Sequence, residues 1–127
     1  MNISWSEIKP YENELPTNYA DRIGRLYTDT VTAAFKKSNG QFFTPVSIAY
    51  FMGKQISVNK DSVSVLDPGC GTAILSCAMI ENLVLQSKVK QIELVTYETD
   101  ENLIPGLQKV LELSLIHISE PTRLRRI

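Results

Sequence analysis

The most informative part of the chain is residues 62–72, Ser-Val-Ser-Val-Leu-Asp-Pro-Gly-Cys-Gly-Thr. Residues 62–66 favour a β-strand, because β-branched residues fit a pleated, half-buried surface. The segment 67–71, with one proline and two glycines, predicts a turn, and apolar residues from Thr72 to about Leu85 recur at helical spacing. The buried set of that helix is predicted to be Ile74, Leu75, Ala78, Met79 and Leu85. Strand, turn and helix in this order indicate the start of a parallel α/β unit.

A second unit of the same kind follows. Residues 91–97 alternate apolar and polar side chains, with Ile92 and Leu94 on one face, and Glu98-Thr99-Asp100 comes next. A further helix is predicted to begin near Asn102. Its buried residues are expected to be Leu103, Leu107, Val110 and Leu111. Parallel strands need crossover connections of this length, so the fold class is predicted to be α/β with a small parallel sheet and right-handed crossovers.

The N-terminal side of the strand predicts two helices. The first runs from Thr17 to about residue 37, with Tyr19, Ile23, Leu26, Tyr27, Val31, Ala34 and Phe35 on its apolar face, and Asn39-Gly40 ends it. The second follows Gln41-Phe42-Phe43-Thr44-Pro45, with Thr44 as N-cap and Pro45 at the first helical position. Its buried side is predicted to hold Ile48, Phe51, Met52 and Ile56.

The turn after the first strand is the candidate ligand site. Gly69 and Gly71 allow close approach of the backbone to a ligand, but Ile74 stands where a dinucleotide-binding loop has its third glycine. Asp67 at the strand tip can pair with an ammonium and would repel a pyrophosphate. Glu98 follows the next strand, where an acid can accept hydrogen bonds from a ribose diol.

Three segments together carry a family resemblance. Residues 41–45, Gln-Phe-Phe-Thr-Pro, residues 67–72, Asp-Pro-Gly-Cys-Gly-Thr, and residues 97–100, Tyr-Glu-Thr-Asp, resemble the adenine-N6 DNA methyltransferases of restriction–modification systems. Type I modification subunits and bifunctional restriction–methylation enzymes are the most similar groups. The resemblance spans residues 17–112 and implies a truncated Rossmann-like class I methyltransferase fold. It also implies S-adenosyl-L-methionine as cofactor, whose ammonium and sulfonium suit an acidic strand tip.

The resemblance carries roles over to particular positions. Phe43, Thr44 and Pro45 would close over the methionine end of the cofactor, and Glu98 with Thr99 would hold the ribose. The cofactor loop would comprise Asp67, Pro68, Gly69, Cys70, Gly71 and Thr72. Two positions differ from the family, which usually has alanine at 69 and glycine at 73. Cys70 has no adjacent histidine or lysine to activate it, so we interpret it as a packed side chain.

No catalytic residue and no metal ligand is assigned in this chain. In the family, an Asn/Asp-Pro-Pro-Tyr/Phe loop holds the flipped adenine, and the sequence contains no Pro-Pro pair. The fragment is therefore expected to be inactive, while its parent would be an adenine-specific DNA methyltransferase. DNA and any specificity or restriction subunits would bind through regions outside this chain.

Composition sets further expectations. Residues 113–127 resemble the translation of a sequencing adapter, so we treat them as a non-native tail, with residues 1–44 as an N-terminal helical segment and 45–112 as the start of the methyltransferase domain. Without the three arginines and one glutamate of the tail, the 13 basic and 14 acidic residues fall to 10 and 13. The chain then has no basic excess for phosphates. With neither a secretory signal nor a membrane span, a cytoplasmic protein is expected.

Other functions fit parts of the sequence. A methyltransferase acting on protein glutamine, RNA or a small molecule would share the cofactor loop and differ in the catalytic loop. A nucleotide- or NAD-binding domain would need the third glycine that is missing here. A non-catalytic interaction module would use the amphipathic helix at 17–37 as its contact surface.

Overall fold

The centre of the molecule is a parallel sheet. The structure, a computed structural model, describes residues 3–31, 43–85, 88–116 and 122–126. Its strands are β1 (Ser62–Asp67), β2 (Gln91–Thr96) and β3 (Thr122–Arg126), in the spatial order β1-β2-β3. All pairs are parallel, and Asp67 pairs with Thr96 at the ends of β1 and β2. The carboxyl ends of these strands therefore meet at one edge of the sheet, as predicted.

The third strand was not predicted. We expected two strands, with residues 113–127 outside the fold, but Thr122–Arg126 pairs with β2 on the side opposite β1. Strand pairing requires only backbone N–H and C=O groups, and the edge of β2 offers a row of them. The expected strand count was wrong, whereas the parallel α/β class is confirmed.

Four helices surround the sheet in the described part of the chain. They are α1 (Pro16–Thr30), α2 (Val46–Gly53), α3 (Ile74–Leu85) and α4 (Ile104–Ile116), and a short 3-10 helix, Trp5–Glu7, precedes them. The core joins apolar side chains of all four helices to β1 and β2. No helix in these ranges has the length and apolarity needed to cross a membrane.

Helix α1 is shorter than the sequence predicted. It ends at Thr30, and Val31 has extended backbone angles, φ −113° and ψ 152°. Tyr19, Ile23 and Tyr27 are buried as expected, while Leu26 is partly exposed. The predicted continuation through Ala34 and Phe35 to the stop at Asn39-Gly40, like Gln41 and Phe42 of the following motif, lies outside the described residues.

The start of α1 is fixed by a residue of another helix. The backbone N–H of Thr17 donates to Glu81 Oε1 at 3.1 Å, and its hydroxyl donates to Oε2 at 2.7 Å. Helix N-termini have N–H groups without partners in their own helix. Glu81 of α3 supplies that partner and orients α1 on the core.

Helix α2 presents a different face to the core from the one predicted. Ile48, Phe51 and Met52 are 49%, 65% and 44% exposed, whereas Ala49 and Gly53 are buried. The reason is a close helix–helix approach: a Cβ added to Gly53 would lie 2.9 Å from the backbone carbon of Ala78 in α3. Small residues therefore face α3, and the larger apolar residues point outward.

Helices α3 and α4 follow the prediction more closely. Leu103, Leu107, Val110 and Leu111 are all buried, as the spacing indicated. In α3 the predicted Ile74 and Ala78 are buried, but Leu75 and Met79 are half-buried and Leu85 is 82% exposed. Apolar residues occupy nearly every position of α3, so its periodicity could not identify the inner face.

Candidate functional site

The loop after β1 has two residues in the left-handed region of backbone space. Gly71 has φ +56° and Ala73 has φ +66°. The N–H of Ala73 donates to the carbonyl of Cys70 at 2.7 Å, and the N–H of Cys77 donates to the carbonyl of Ala73 at 2.9 Å as α3 begins. The chain thus turns sharply from the tip of β1 into α3, which leaves residues 68–71 at the carboxyl edge of the sheet.

Backbone hydrogen bonds join this loop to the segment after β2. The N–H of Tyr97 donates to the carbonyl of Asp67, and the N–H of Cys70 donates to the carbonyl of Tyr97, both at 3.1 Å. These bonds extend the pairing of β1 and β2 beyond the strands. They bring the residues after Tyr97 directly alongside the glycines.

Glu98 bridges the two loops. Its Oε1 accepts the N–H of Gly71 at 3.0 Å, and its Oε2 accepts the N–H of Asp100 at 2.8 Å. The predicted neighbourhood of Glu98 and the glycine loop is therefore present in the structure. Each carboxylate oxygen has a second lone pair, so both can accept a further donor. Thr99, next to Glu98, is exposed.

Phe43 covers the same loop from the N-terminal side. Its Cε1 lies 3.1 Å from the position of a Cβ on Gly71, and its Cγ lies 3.4 Å from that of a Cβ on Gly24 in α1. The ring also meets Tyr27 edge-to-face, with centroids 6.4 Å apart and planes at 83°. The segment that leads into α2 thus packs against the turn after β1.

Thr44 and Pro45 follow Phe43, the first half-buried and the second exposed. The N-cap of α2 is Pro45, whose carbonyl accepts the N–H of Ala49 at 2.9 Å, and the helix begins at Val46. The prediction that Thr44 caps the helix was wrong by one position. Proline can occupy this place because an N-cap contributes its carbonyl, and not its N–H, to the first turn.

Asp67 is held by a residue that the sequence did not single out. The buried hydroxyl of Ser76 in α3 donates to Asp67 Oδ2 at 2.5 Å. Pro68 and Gly69 next to it are exposed. Thr72 is 1% exposed, and its hydroxyl has no hydrogen-bond partner among the described residues. Such an orphaned buried hydroxyl is uncommon and typical of a place where a ligand or a water completes the pairing.

Tyr27 and Asp100 are further residues of this site that sequence reasoning missed. The hydroxyl of Tyr27 donates to Asp100 Oδ2, and the N–H of Asn102 donates to Asp100 Oδ1 at 3.0 Å. Tyr27 lies three residues after Gly24 on the face of α1 that meets Phe43. Helical spacing had identified Tyr27 only as a core residue, because an amphipathic pattern does not distinguish a packed ring from one with a polar partner.

Cys70 is not poised for chemistry. Burial raises the pKa of its thiol to about 12, and the negative charges of Asp67 and Glu98 contribute to that rise. Nucleophilic cysteines have lowered pKa values and cationic neighbours. The interpretation of Cys70 as a packed side chain agrees with this environment.

A separate cavity of about 510 Å³ lies on the helical side, with Leu15, Tyr50, Ala78, Glu81 and Val84 among its lining residues. None of the predicted cofactor residues lines it. Its lining is mainly apolar, and both carboxylate oxygens of Glu81 already accept hydrogen bonds from Thr17. The carboxyl edge of the sheet, where Asp67 and Glu98 lie beside the glycine loop, is therefore the better candidate site.

Several known proteins are similar to this chain in sequence. The model of the N-6 DNA Methylase family matches residues 19–107. The chain is 32% identical over 90 residues to the Type II methyltransferase M.AccI of Acinetobacter calcoaceticus, a match that covers 71% of this chain and 16% of the relative. It is 38% identical over 79 residues to the Type II methyltransferase M.BsuBI of Bacillus subtilis, covering 61% of this chain and 16% of that relative. The chain thus spans only about a sixth of the length of these relatives.

A solved structure confirms the fold. A protein from Listeria monocytogenes assigned to the class I S-adenosylmethionine-dependent methyltransferases matches with a TM-score of 0.51 and 20% identity, covering 98% of this chain and 35% of that one. The predicted Rossmann-like class I fold is therefore present. The family match, which includes the Phe43 segment, the glycine loop and Glu98, confirms the resemblance that the three motifs indicated. This chain belongs to the N-6 DNA Methylase family.

Proposed function

We propose that this chain is the S-adenosylmethionine-binding part of an adenine-N6 DNA methyltransferase. The observation that supports this most strongly is the meeting of three distant segments at one edge of the sheet. Phe43 lies against Gly71, and Glu98 accepts the N–H of the same Gly71. A sheet, a turn and a helix alone would not require the segment before α2 to close over the loop after β1.

The residues at this edge of the sheet fit S-adenosylmethionine. A Cβ on Gly69 would meet no atom within 4 Å, so the loop is open to a ligand there. Two carboxylates, Asp67 and Glu98, face a molecule that carries an ammonium, a sulfonium and a ribose diol. The charge of Asp67 at the strand tip would also repel the pyrophosphate of a dinucleotide.

Each group has a distinct role in this proposal. Asp67 pairs with the ammonium, and Glu98 accepts the ribose hydroxyls through its remaining lone pairs. Phe43, Thr44 and Pro45 cover the methionine end and exclude water. The cofactor, when bound, supplies an electrophilic methyl group on its sulfonium. The remaining loop and ribose-side positions are Pro68, Gly69, Cys70, Gly71, Thr72 and Thr99.

The chain itself binds and orients but does not complete the reaction. A flipped adenine needs acceptors for its amino hydrogens and a stacking ring, which the family provides in an Asn/Asp-Pro-Pro-aromatic loop. No Pro-Pro pair occurs in these 127 residues. In this proposal, DNA and any specificity or restriction subunits are bound by other parts of a cytoplasmic parent protein. When the isolated chain is incubated with DNA and methyl-labelled S-adenosylmethionine, we expect no label in the DNA. Label on adenine would contradict this proposal.

The domain organisation forms part of the same proposal. Residues 1–44 form an N-terminal helical segment, residues 45–112 begin the cofactor domain, and residues 113–127 are a non-native tail. The resemblance of that tail to a translated adapter is its support. Sequencing the source DNA through the codons after 112 tests it, and a native reading frame that encodes the same 15 residues would refute the assignment.

The binding experiment compares ligands and matched variants. Titration calorimetry on the full 127-residue chain should show binding of S-adenosylmethionine and none of NAD. Asp67→Asn and Glu98→Gln each remove one charged hydrogen-bond acceptor and should weaken binding about tenfold or more. Asp61→Asn, at the opposite end of β1, and Glu101→Gln, an exposed acid near Glu98, are the controls and should leave binding unchanged. A folded chain that binds NAD more tightly than S-adenosylmethionine would contradict the proposal.

A further inference from the structure

Ser76 is a polar residue in an otherwise apolar environment. It is 1% exposed, and residues around it in α3, including Ile74, Cys77, Ala78 and Ile80, belong to the core. A buried hydroxyl needs a hydrogen-bond partner, because an unpaired one carries the full cost of its desolvation. The partner is Oδ2 of Asp67, nine residues earlier at the tip of β1, at 2.5 Å.

This contact leaves Asp67 with little freedom. Its backbone carbonyl is held by the N–H of Tyr97, and its Oδ2 is held by Ser76. A hydroxyl that donates to a carboxylate forms one of the short and strong hydrogen bonds in proteins. Within the described residues, Oδ1 accepts no hydrogen bond. The arrangement therefore fixes the carboxylate plane and leaves one oxygen available to a donor from a ligand.

We propose that Ser76 is a positioning residue of the cofactor site, which fixes the Asp67 carboxylate for the ammonium of the methionine moiety. This role rests on the proposed function, in which Asp67 binds that ammonium. Because Ser76 already holds the Asp67 side chain in one conformation, less conformational entropy is lost when the ligand binds. Immobilising one such side chain costs enough to change an affinity by about 3- to 10-fold.

The test separates the two ends of the cofactor. 5′-Methylthioadenosine has the nucleoside and sulfur but lacks the amino acid part, so Asp67 has no ammonium to bind. Ser76→Ala should weaken S-adenosylmethionine binding about 3- to 10-fold and leave the affinity for methylthioadenosine unchanged. Ser114→Ala is the matched control, because it removes another buried serine hydroxyl, whose contact is Cys77 Sγ at 3.3 Å. It should change neither affinity.

A double-mutant cycle connects the effect to Asp67. In an Asp67→Asn background, Ser76→Ala should cause much less further loss, since the two substitutions remove the same interaction. Ser76→Cys differs by one atom and replaces the hydroxyl with a slightly larger, weaker donor. It should show the same ligand selectivity, and it covers the case that the alanine variant does not fold.

Two results would overturn this role while leaving the cofactor assignment intact. One is an equal loss for both ligands, which indicates general damage to the site. The other is an undiminished effect of Ser76→Ala in the Asp67→Asn background. If the unsubstituted chain folds but binds neither ligand, that result would instead overturn the cofactor assignment, and the role of Ser76 with it.

Discussion

The three small residues of the glycine loop are not equivalent. Gly71 and Ala73 have positive φ values, whereas Gly69 does not and has open space where a Cβ would lie. The family pattern of alanine at 69 and glycine at 73 is therefore compatible with this backbone at both positions. Ala73 carries the strain of a left-handed residue, and its methyl group is fully buried, which offsets part of that cost.

We predict opposite outcomes for alanine at the two glycines. Gly71→Ala should destabilise the chain by about 1–2 kcal/mol from backbone strain alone and should also displace Phe43, whose ring is 3.1 Å from the new Cβ. Gly69→Ala is the matched control, and its free energy of unfolding should stay within about 1 kcal/mol of that of the unsubstituted chain. Denaturant unfolding and S-adenosylmethionine titration measure both effects. Equal stability of the two variants would contradict the assigned backbone conformations.

Site residues can be predicted from the sequence where the order of strands and helices fixes their position. Asp67 ends β1, and Gly71 and Glu98 follow the adjacent parallel strands β1 and β2, so their approach at one sheet edge could be predicted. Ser76 and Tyr27 lie within helices, and their hydrogen bonds depend on how α3 and α1 are rotated about their axes. Spacing alone does not give that rotation for α3, which is apolar on most sides. For α1, spacing placed Tyr27 on the buried face but could not show that its hydroxyl has a polar partner.

Among the helices and strands, the contact between α2 and α3 explains why the buried face of α2 was predicted wrongly. A prediction based on large apolar residues chose Ile48, Phe51 and Met52 as the inner face of α2. The structure instead brings Gly53 so close to α3 that a Cβ on it would lie 2.9 Å from the backbone of Ala78. Backbones can approach this closely only where side chains are minimal, so the small residues of α2 and not its large ones face α3.

The corresponding prediction concerns Gly53. Gly53→Ala places a methyl group against the backbone of α3, which cannot move as a flexible side chain would, and should cost about 1–3 kcal/mol. Ser47→Ala, at an exposed position of the same helix, tests helix propensity without the clash and should be neutral or slightly stabilising. Thermal and urea unfolding measure the difference. A stabilised Gly53→Ala variant would show that the two helices do not touch here.

For the whole molecule, an ionic cluster joins the residues that precede α1 to α1 itself. Arg22 of α1 donates to both carboxylate oxygens of Glu14, at 2.8 and 3.1 Å, and to the carbonyl of Lys9 at 2.8 Å. Its guanidinium also lies 4.0 Å from the ring centroid of Tyr11. The hydrogen bond from Arg22 is the main cause that lowers the pKa of Glu14 from 4.5.

This lowered pKa gives a pH dependence of stability with a definite sign. A carboxyl whose pKa is lower in the folded state stabilises it above its unfolded pKa, and that contribution disappears as pH falls through the folded value. Above about pH 5, the free energy of unfolding of the unsubstituted chain should exceed that of the Glu14→Gln variant by about 0.3–1 kcal/mol. The difference should shrink as the pH falls below about 4.5. Glu12→Gln is the control at an exposed site, and a difference that stays constant down to about pH 3 would contradict the prediction.

The hydrogen bonds around Asp100 have a consequence for the molecule as a whole. Tyr27 binds Asp100, the amide of Asp100 binds Glu98, and Glu98 binds the amide of Gly71. These contacts form an unbroken path from the first helix to the turn after the first strand. Linkage is reciprocal: a ligand that binds better when this path is intact stabilises the intact path by the same free energy. We therefore expect the protection of α1 against hydrogen exchange to increase when the cofactor binds beside Gly71.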